Sequence, residues 1–401
     1  MAIDWIHVER FKSLYDVELE LGRVNVFIGA NGAGKSNLLE ALGVIGCAAA
    51  GRVDDQALLR RGVRPGVPRI YKSSFPKSPK DPSIRLTVRS AHQTEYFIGI
   101  VNQAKVPKPF WSFQHERLDD SGKVIASRGP AQGKATVHGQ EIHDERSASL
   151  AVQARANLKT SQDCRELLSN LDDFAIFSPV TPVLRGIAPD NAARAPVGLF
   201  GGGLPEAVDS LTAEPKKKFR ERALELIEWA DSFDVGPPSK NLLASSVPTL
   251  RNVLRFRDRF MKKDADTLSA YDASEGALYV LYLLVLAVHP QSPRIFAVDN
   301  FDQALNPAAA RELAHAFSTE VIRHERQVFL TTHNPLVLDG LPLDDPKVCL
   351  FKVERSEDGK TVVARVPVRD LQALKRRHGP NPVSRLWIDG RLGALPRVAR
   401  I

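Results

Sequence analysis

Gly29-Ala-Asn-Gly-Ala-Gly-Lys-Ser36 satisfies every fixed position of the phosphate-loop pattern G-x-x-x-x-G-K-[ST]. An apolar run, Val24-Asn25-Val26-Phe27-Ile28, precedes it, and a helix-like run, Asn37-Leu38-Leu39-Glu40-Ala41-Leu42, follows. Strand, glycine-rich loop and helix in that order is the setting the pattern requires. The glycines let backbone N–H groups close around phosphate oxygens, and the helix start adds a favourable dipole. Lys35 is expected to reach the β- and γ-phosphates of a nucleoside triphosphate, and Ser36 to hold Mg²⁺ through its hydroxyl. Asn31, Gly32, Ala33, Gly34 and Asn37 complete the expected cradle. A glycine-rich turn with no ligand is the weaker reading.

The chain has 401 residues, enough for two or more compact units, and 43% of them are apolar. No apolar run reaches about 18 residues, so no membrane span is expected. The N-terminus enters strand pattern at once, which predicts no signal peptide. Three scattered cysteines, Cys47, Cys164 and Cys349, lack metal-ligand spacing and read as packing residues in a reducing cytoplasm. The net charge of +8 permits binding to DNA or RNA. It is equally the charge of a soluble protein with an excess of arginine.

Outward from the loop, residues 3–9 and 15–21 alternate apolar and polar, as two strands around a turn at Phe11-Lys12-Ser13. Residues 52–80 read as loop. Strand patterns at 84–89, 96–101, 111–118, 124–126 and 136–137 predict an antiparallel sheet separate from the parallel one implied by the loop. Helical pattern covers 146–171, and 174–183 is strand-like. The Gly/Pro/Ala-rich stretch 186–205 reads as a mobile loop. Residues 214–234 and 250–263 read as basic helices, and 274–288 as a very apolar helix. After strand 295–298 come helix 308–323, strand 328–331 and a hairpin at 348–366. These patterns divide the chain into 1–144, an N-terminal lobe with the loop and the antiparallel sheet; 145–265, a helical insertion; 266–366, a C-terminal lobe; and 367–401, a tail.

Two further strands end in polar residues where open α/β sheets place ligands. Arg294-Ile-Phe-Ala-Val-Asp299 puts Asp299 at such an edge, as the expected Mg²⁺-side acid acting through the metal's water shell or on Ser36. Val328-Phe-Leu-Thr-Thr-His333-Asn-Pro repeats the geometry, with His333 expected to sense or position the γ-phosphate. Ser274-Glu275-Gly276 opens the apolar helix as a second anion site, or as a simple N-cap.

Together these segments resemble the ABC-type ATPases of the SMC, RecF and OLD group, well over residues 1–48 and 265–340 and poorly between. Arg10-Phe-Lys-Ser-Leu14 looks like that group's F-[KR]-S element, which implies that Lys12 and Ser13 lie beside the nucleotide. Ser274-Glu275-Gly276 looks like the signature segment, which implies that Ser274 and Gly276 read the γ-phosphate held by an opposite subunit. Ala304-Leu-Asn-Pro307 sits where the group has its D-loop, a dimer contact, and Thr332-His-Asn-Pro335 is similar to its switch-histidine segment. The wording of the last two leans toward the OLD-like branch, found in many defence systems. The implied fold is an α/β ABC-ATPase head with a mostly parallel core sheet, an N-terminal antiparallel β lobe and an inserted helical subdomain. The implied cofactors are ATP and Mg²⁺, sandwiched in a homodimer.

Position 300 departs from the group, which has Asp-Glu where this chain has Asp299-Asn300. An amide orients water but cannot take its proton, so a general-base contribution of about 10²–10⁴-fold is expected to be weakened. Asp302 is the acid in reach to substitute. Slow hydrolysis and a long-lived closed state are therefore expected.

The insertion lacks the heptads of a long coiled coil. Its basic cluster, Lys216, Lys217, Lys218, Arg220, Arg222, Arg251, Arg255, Arg257, Arg259, Lys262 and Lys263, interleaves with acids. It reads as a solvated face somewhat better than as a phosphate-contacting one. No acidic cluster typical of a metal nuclease follows residue 340, so any cutting is expected of a separate effector polypeptide. Trp387 and Leu392 either dock a partner or pack on the chain's own core. The leading expectation is a nucleotide-gated switch controlling such a nuclease in anti-phage defence. The alternatives are a RecF-like DNA-binding ATPase and an assembly scaffold with little hydrolysis.

Overall fold

The computed structural model describes residues 2–76, 83–130, 133–238, 252–378 and 382–393. Alternating burial makes a hairpin of β1 (Ile3–Phe11) and β2 (Leu14–Glu20), closed by the pair Phe11↔Leu14. Lys12, in the turn, has φ +50°. β3 (Val24–Ile28) is buried at all five residues, the pattern of a strand covered on both faces. It feeds the phosphate loop and then α1 (Lys35–Ala49).

β4 (Ile84–Ser90), β5 (Thr94–Val101), β6 (Ser112–Asp120), β7 (Lys123–Arg128), β8 (Ala135–Val137) and β9 (Gln140–Ile142) extend the first hairpin. The result is an eight-stranded antiparallel sheet in the order β2-β1-β4-β5-β6-β7-β8-β9. β10 (Ile176–Phe177) belongs to a second sheet. β11 (Ala230–Gly236), β12 (Val253–Asp258) and β13 (Thr267–Ser269) form a small antiparallel sheet of their own. β14 (Ile295–Val298), β15 (Gln327–Thr332), β16 (Val348–Arg355) and β17 (Thr361–Arg365) complete the second sheet, ordered β10-β14-β15-β3-β16-β17. All of its pairings are parallel except β16 with β17.

Side chains on this central sheet alternate between two cores, one on each face. Phe27, Ala297, Phe329 and Phe351 pack with α1 and the antiparallel sheet. Val26, Ile28, Val298, Leu330 and Leu350 pack with the helix Glu275–Val288. That helix is buried continuously from Ala277 to Ala287, because helices Ala213–Leu226 and Pro307–Arg323 cover the side turned away from the sheet. A helix enclosed all round is apolar all round. Ser274 caps its start, accepting from Ala277 N. Arg326 closes its end, with Nε donating to Ala287 O at 3.0 Å and Nη1 to Pro293 O at 3.0 Å; its other bonds reach the carbonyls of His289 and Ser292.

The insertion is not wholly helical. The helix expected to run to Asp234 stops at Leu226, and Ala230–Gly236 is strand β11. The second basic helix is strand β12 over Val253–Asp258, while Leu250 and Arg251 lie outside the described residues. Buried Leu254 and Phe256 alternate with Arg255 and Arg257, a period of two, and Arg255 Nε reaches Asp234 Oδ1 across the sheet at 2.6 Å. The stretch 186–205 is anchored, not free: Val197 and Leu199 are fully buried, and Tyr282 Oη donates to the carbonyls of Gly198 and Leu199 at 3.0 Å. In 174–183 only Ile176–Phe177 is strand.

Candidate functional site

β14, β15 and β3 are neighbours in the sheet and run parallel, with Val298 opposite Leu330 and Thr332 opposite Ile28. Their carboxyl ends therefore deliver Asp299, His333 and the phosphate loop to one edge.

The loop's shape depends on Gly34. Its φ is +111°, and a Cβ there would stand 2.2 Å from Thr361 Oγ1 and 2.8 Å from Ser13 Oγ. Behind it, Thr361 Oγ1 lies 2.7 Å from both Ser13 Oγ and Ala33 O, and Asn37 Nδ2 donates to Ser13 Oγ at 2.8 Å. At Gly32, with φ +75°, nothing lies within 4 Å of where a Cβ would stand. Lys35 Nζ donates to Gly29 O at 2.8 Å and Ala30 O at 3.0 Å. Burial lowers its pKa, while the charges of Asp299 and Asp302 oppose that shift.

Ser36 Oγ donates to Asp299 Oδ1 at 3.0 Å, and Thr331 Oγ1 donates to the same oxygen at 2.5 Å. Thr331 Oγ1 also accepts from Asn300 N at 2.8 Å, holding Asn300 in a left-handed conformation, φ +56°. Thr332 Oγ1 donates to Asp302 Oδ1 at 2.7 Å. His333 is exposed and shares a cavity of about 220 Å³ with Gly29, Ala30 and Asn31.

Lys12 faces another way. It forms an ion pair with Glu40, which is 2% exposed, and Arg64 Nε meets the same carboxylate at 2.5 Å. Burial lowers the Lys12 pKa, and Glu40 works against it. With Ser13, Asn37, Arg64 and Arg355, Lys12 lines a separate cleft of about 540 Å³ flanking the loop, and Arg355 Nε donates to Gly32 O at 3.0 Å.

Ser274 and Gly276 are not brought to the loop of their own chain. Trp229 Nε1 donates to Ser274 Oγ at 3.3 Å, and a Cβ on Gly276 would lie 3.2 Å from Ala304 O. Both residues line a cavity of about 470 Å³ with Trp229, Ala304 and Asn306. The signature-like and D-loop-like segments thus pack on each other.

Thr331, Thr361, Glu40 and Arg64 were not legible as site residues. The two threonines sit in ordinary β pattern, and neither Glu40 nor Arg64 belongs to a motif. Only the pairing of distant segments brings them in.

Residues 24–339 match the family described as "AAA domain, putative AbiEii toxin, Type IV TA system". The chain belongs to that family. Residues 1–46 also match a family described as an AAA ATPase domain. Over 73 residues the chain is 38% identical to the DNA replication and repair protein RecF of Halothermothrix orenii, covering 18% of this chain and 20% of that protein. The chain therefore spans about a fifth of that relative's length. The SMC head bound to the C-winged helix domain of ScpA aligns with 93% of this chain and 100% of its own at 13% identity, with a TM-score of 0.51. The SMC head from Thermotoga maritima aligns with 91% and 99% at 12% identity, with a TM-score of 0.47. The fold is that of an SMC-type ABC-ATPase head, and the chain carries the AAA domain of the family named above. No helix among the described residues is long and apolar enough to cross a membrane.

Proposed function

We propose that this chain binds ATP with Mg²⁺, hydrolyses it slowly, and closes as a homodimer around the nucleotide to switch a separate effector, such as a nuclease, in anti-phage defence in the cytoplasm. The observation that carries this reading is the cluster Ser36–Asp299–Thr331 at the sheet edge, followed directly by Asn300. The family's description names a toxin of a toxin–antitoxin system, which supports a switch within a multi-component defence.

The residues fit the cofactors. Gly34 has no room for a Cβ against Thr361 and Ser13, and its left-handed backbone lets the loop close on them, as a phosphate cradle requires. Ser36 Oγ and Asp299 Oδ1 form an all-oxygen pair of the kind Mg²⁺ prefers. Bound there, Mg²⁺ would neutralise charge on the phosphates. Asn31, Gly32, Ala33, Gly34 and Asn37 cradle the phosphates; Lys35 turns from its two carbonyls to the β- and γ-oxygens. Thr331 fixes Asp299 and, through the Asn300 N–H, the backbone next to the attacking water. Asn300 orients that water without taking its proton, and His333 positions the γ-phosphate. Asp302, engaged by Thr332, is the acid available as a weak base. Ser13 braces the loop from behind, and Lys12 borders the nucleotide through the cleft it shares with Arg64. Lobes 1–144 and 266–366 carry these two halves, with the insertion 145–265 and the tail 367–401 outside them. Ser274 and Gly276 serve the site of a second copy, because their cavity is separate from the loop of their own chain.

The test is steady-state ATP hydrolysis by the parent and by Asn300→Glu. The reading expects the parent to turn over well below about 10 s⁻¹, the ordinary enzyme median, and the variant to be faster. A parent at or above that rate contradicts it.

A further inference from the structure

The cavity of about 220 Å³ beside the phosphate loop has a wall that none of the motifs supplies. Gly29, Ala30, Asn31 and His333 form one side, and Trp387 and Ile388 of the C-terminal helix Val383–Ile388 form the other. The helix is pinned there. Asp339 Oδ1 accepts from Ser384 N at 2.9 Å, and its other carboxylate oxygen accepts from Ser384 Oγ. Asp339 lies in the helix Pro335–Gly340, which starts two residues after His333. Leu386 is fully buried beside it. The tail is thus tied to the element that carries His333.

Trp387 is 5% exposed, and its indole Nε1 is buried with no acceptor among the described residues. An indole nitrogen can only donate, and a buried donor without a partner is costly enough to be rare. This donor belongs to a residue lining a cavity at the end of the loop where Lys35 rests on Gly29 O and Ala30 O. That is the end at which such a lysine meets the β- and γ-phosphates.

We propose that Trp387 is a γ-phosphate-binding residue: its indole N–H donates to a γ-phosphoryl oxygen of bound ATP, so the C-terminal helix reads triphosphate against diphosphate. This rests on the nucleotide reading above and adds to it a residue from outside every motif. A diphosphate leaves the donor unmatched. A triphosphate satisfies it and fastens the tail over the loop and His333.

The test is calorimetric titration of the full chain with Mg²⁺ and either β,γ-imido-ATP or ADP. Trp387→Phe keeps the ring and removes the donor. It should weaken the imido-ATP complex about tenfold, the size of one hydrogen bond to a charged group, and leave ADP affinity within about twofold. Unchanged affinity for both ligands, or an equal loss for both, overturns the proposal. Asp339→Asn, which loosens the helix without touching the indole, keeps the test alive if Trp387→Phe does not fold. It should give a smaller loss, about threefold, again confined to the triphosphate; no loss, or an equal one for ADP, overturns the proposal. Lys35→Ala separates the two levels. If it binds nucleotide like the parent, the nucleotide reading itself fails. If it loses binding while Trp387→Phe matches the parent, only the role of Trp387 fails.

Discussion

At the scale of single residues, the proposed slow hydrolysis rests on one amide. Asn300 follows the carboxylate that Ser36 and Thr331 both engage, and its own N–H is held by Thr331. Restoring a carboxylate there supplies a proton acceptor at a position whose backbone is already fixed. Asn300→Glu is therefore expected to raise single-turnover hydrolysis at least about tenfold, toward the 10²–10⁴-fold of a general base. A variant no faster than the parent would show that the amide is not limiting. Gly34→Ala is expected to abolish nucleotide binding, because its Cβ would meet Thr361 Oγ1 at 2.2 Å and the φ of +111° disfavours any side chain. Retained binding in that variant would mean that the loop adopts another shape. The placement of the phosphate loop and Asp299 at one sheet edge was legible because the motif demands one residue type at one spacing. The contact of Thr361 with the loop and the place of Trp387 beside it were not, since a threonine in a strand and a tryptophan in a tail carry no such demand until the fold brings them there.

At the scale of elements, the apolar helix Glu275–Val288 organises the C-terminal lobe, and Arg326 holds its far end. The guanidinium is 4% exposed and bonds the carbonyls of Ala287, His289, Ser292 and Pro293. Burial lowers its pKa to about 10, so it remains charged at neutral pH. Arg326→Ala leaves four carbonyls short of a donor and should cost at least about 3 kcal/mol, read as a lower urea midpoint at unchanged slope. A loss under about 0.5 kcal/mol, ordinary for a surface change, would contradict this account of the helix end. The same helix was legible because an unbroken apolar run of that length has few other solutions. Strand β12 was misread because alternating arginines over six residues fit a basic helix as easily as a strand. What decides between them is the partner strand with Asp234, far off in sequence. Stretch 186–205 was misread for a related reason. Glycine and proline mark irregular backbone correctly, but Tyr282 and the burial of Val197 and Leu199 fix that backbone in place.

At the scale of the whole molecule, two sheets and two cores place the phosphate loop, Asp299 and His333 along one edge, while Ser274 and Gly276 line a different cavity with the D-loop-like segment. Within one chain the phosphate loop and the signature-like segment thus lie on two surfaces. In the proposed function a second copy closes the site by bringing its signature-like segment to the first copy's loop. The proposed switch follows from that division: nucleotide completes the interface, and slow hydrolysis keeps it closed. Ser274→Arg is expected to leave ATP binding by the single chain within about twofold while blocking closure, since Ser274 serves the opposite site; an ATP affinity that falls with closure still intact would reverse that assignment. The most direct measurement is the solution mass of the full chain by sedimentation equilibrium, with Mg²⁺ and ATP and then with Mg²⁺ and ADP. The account predicts a doubled mass in ATP that persists over many minutes, and the mass of a single chain in ADP. A mass that is the same in both nucleotides, at concentrations that saturate binding, would contradict it.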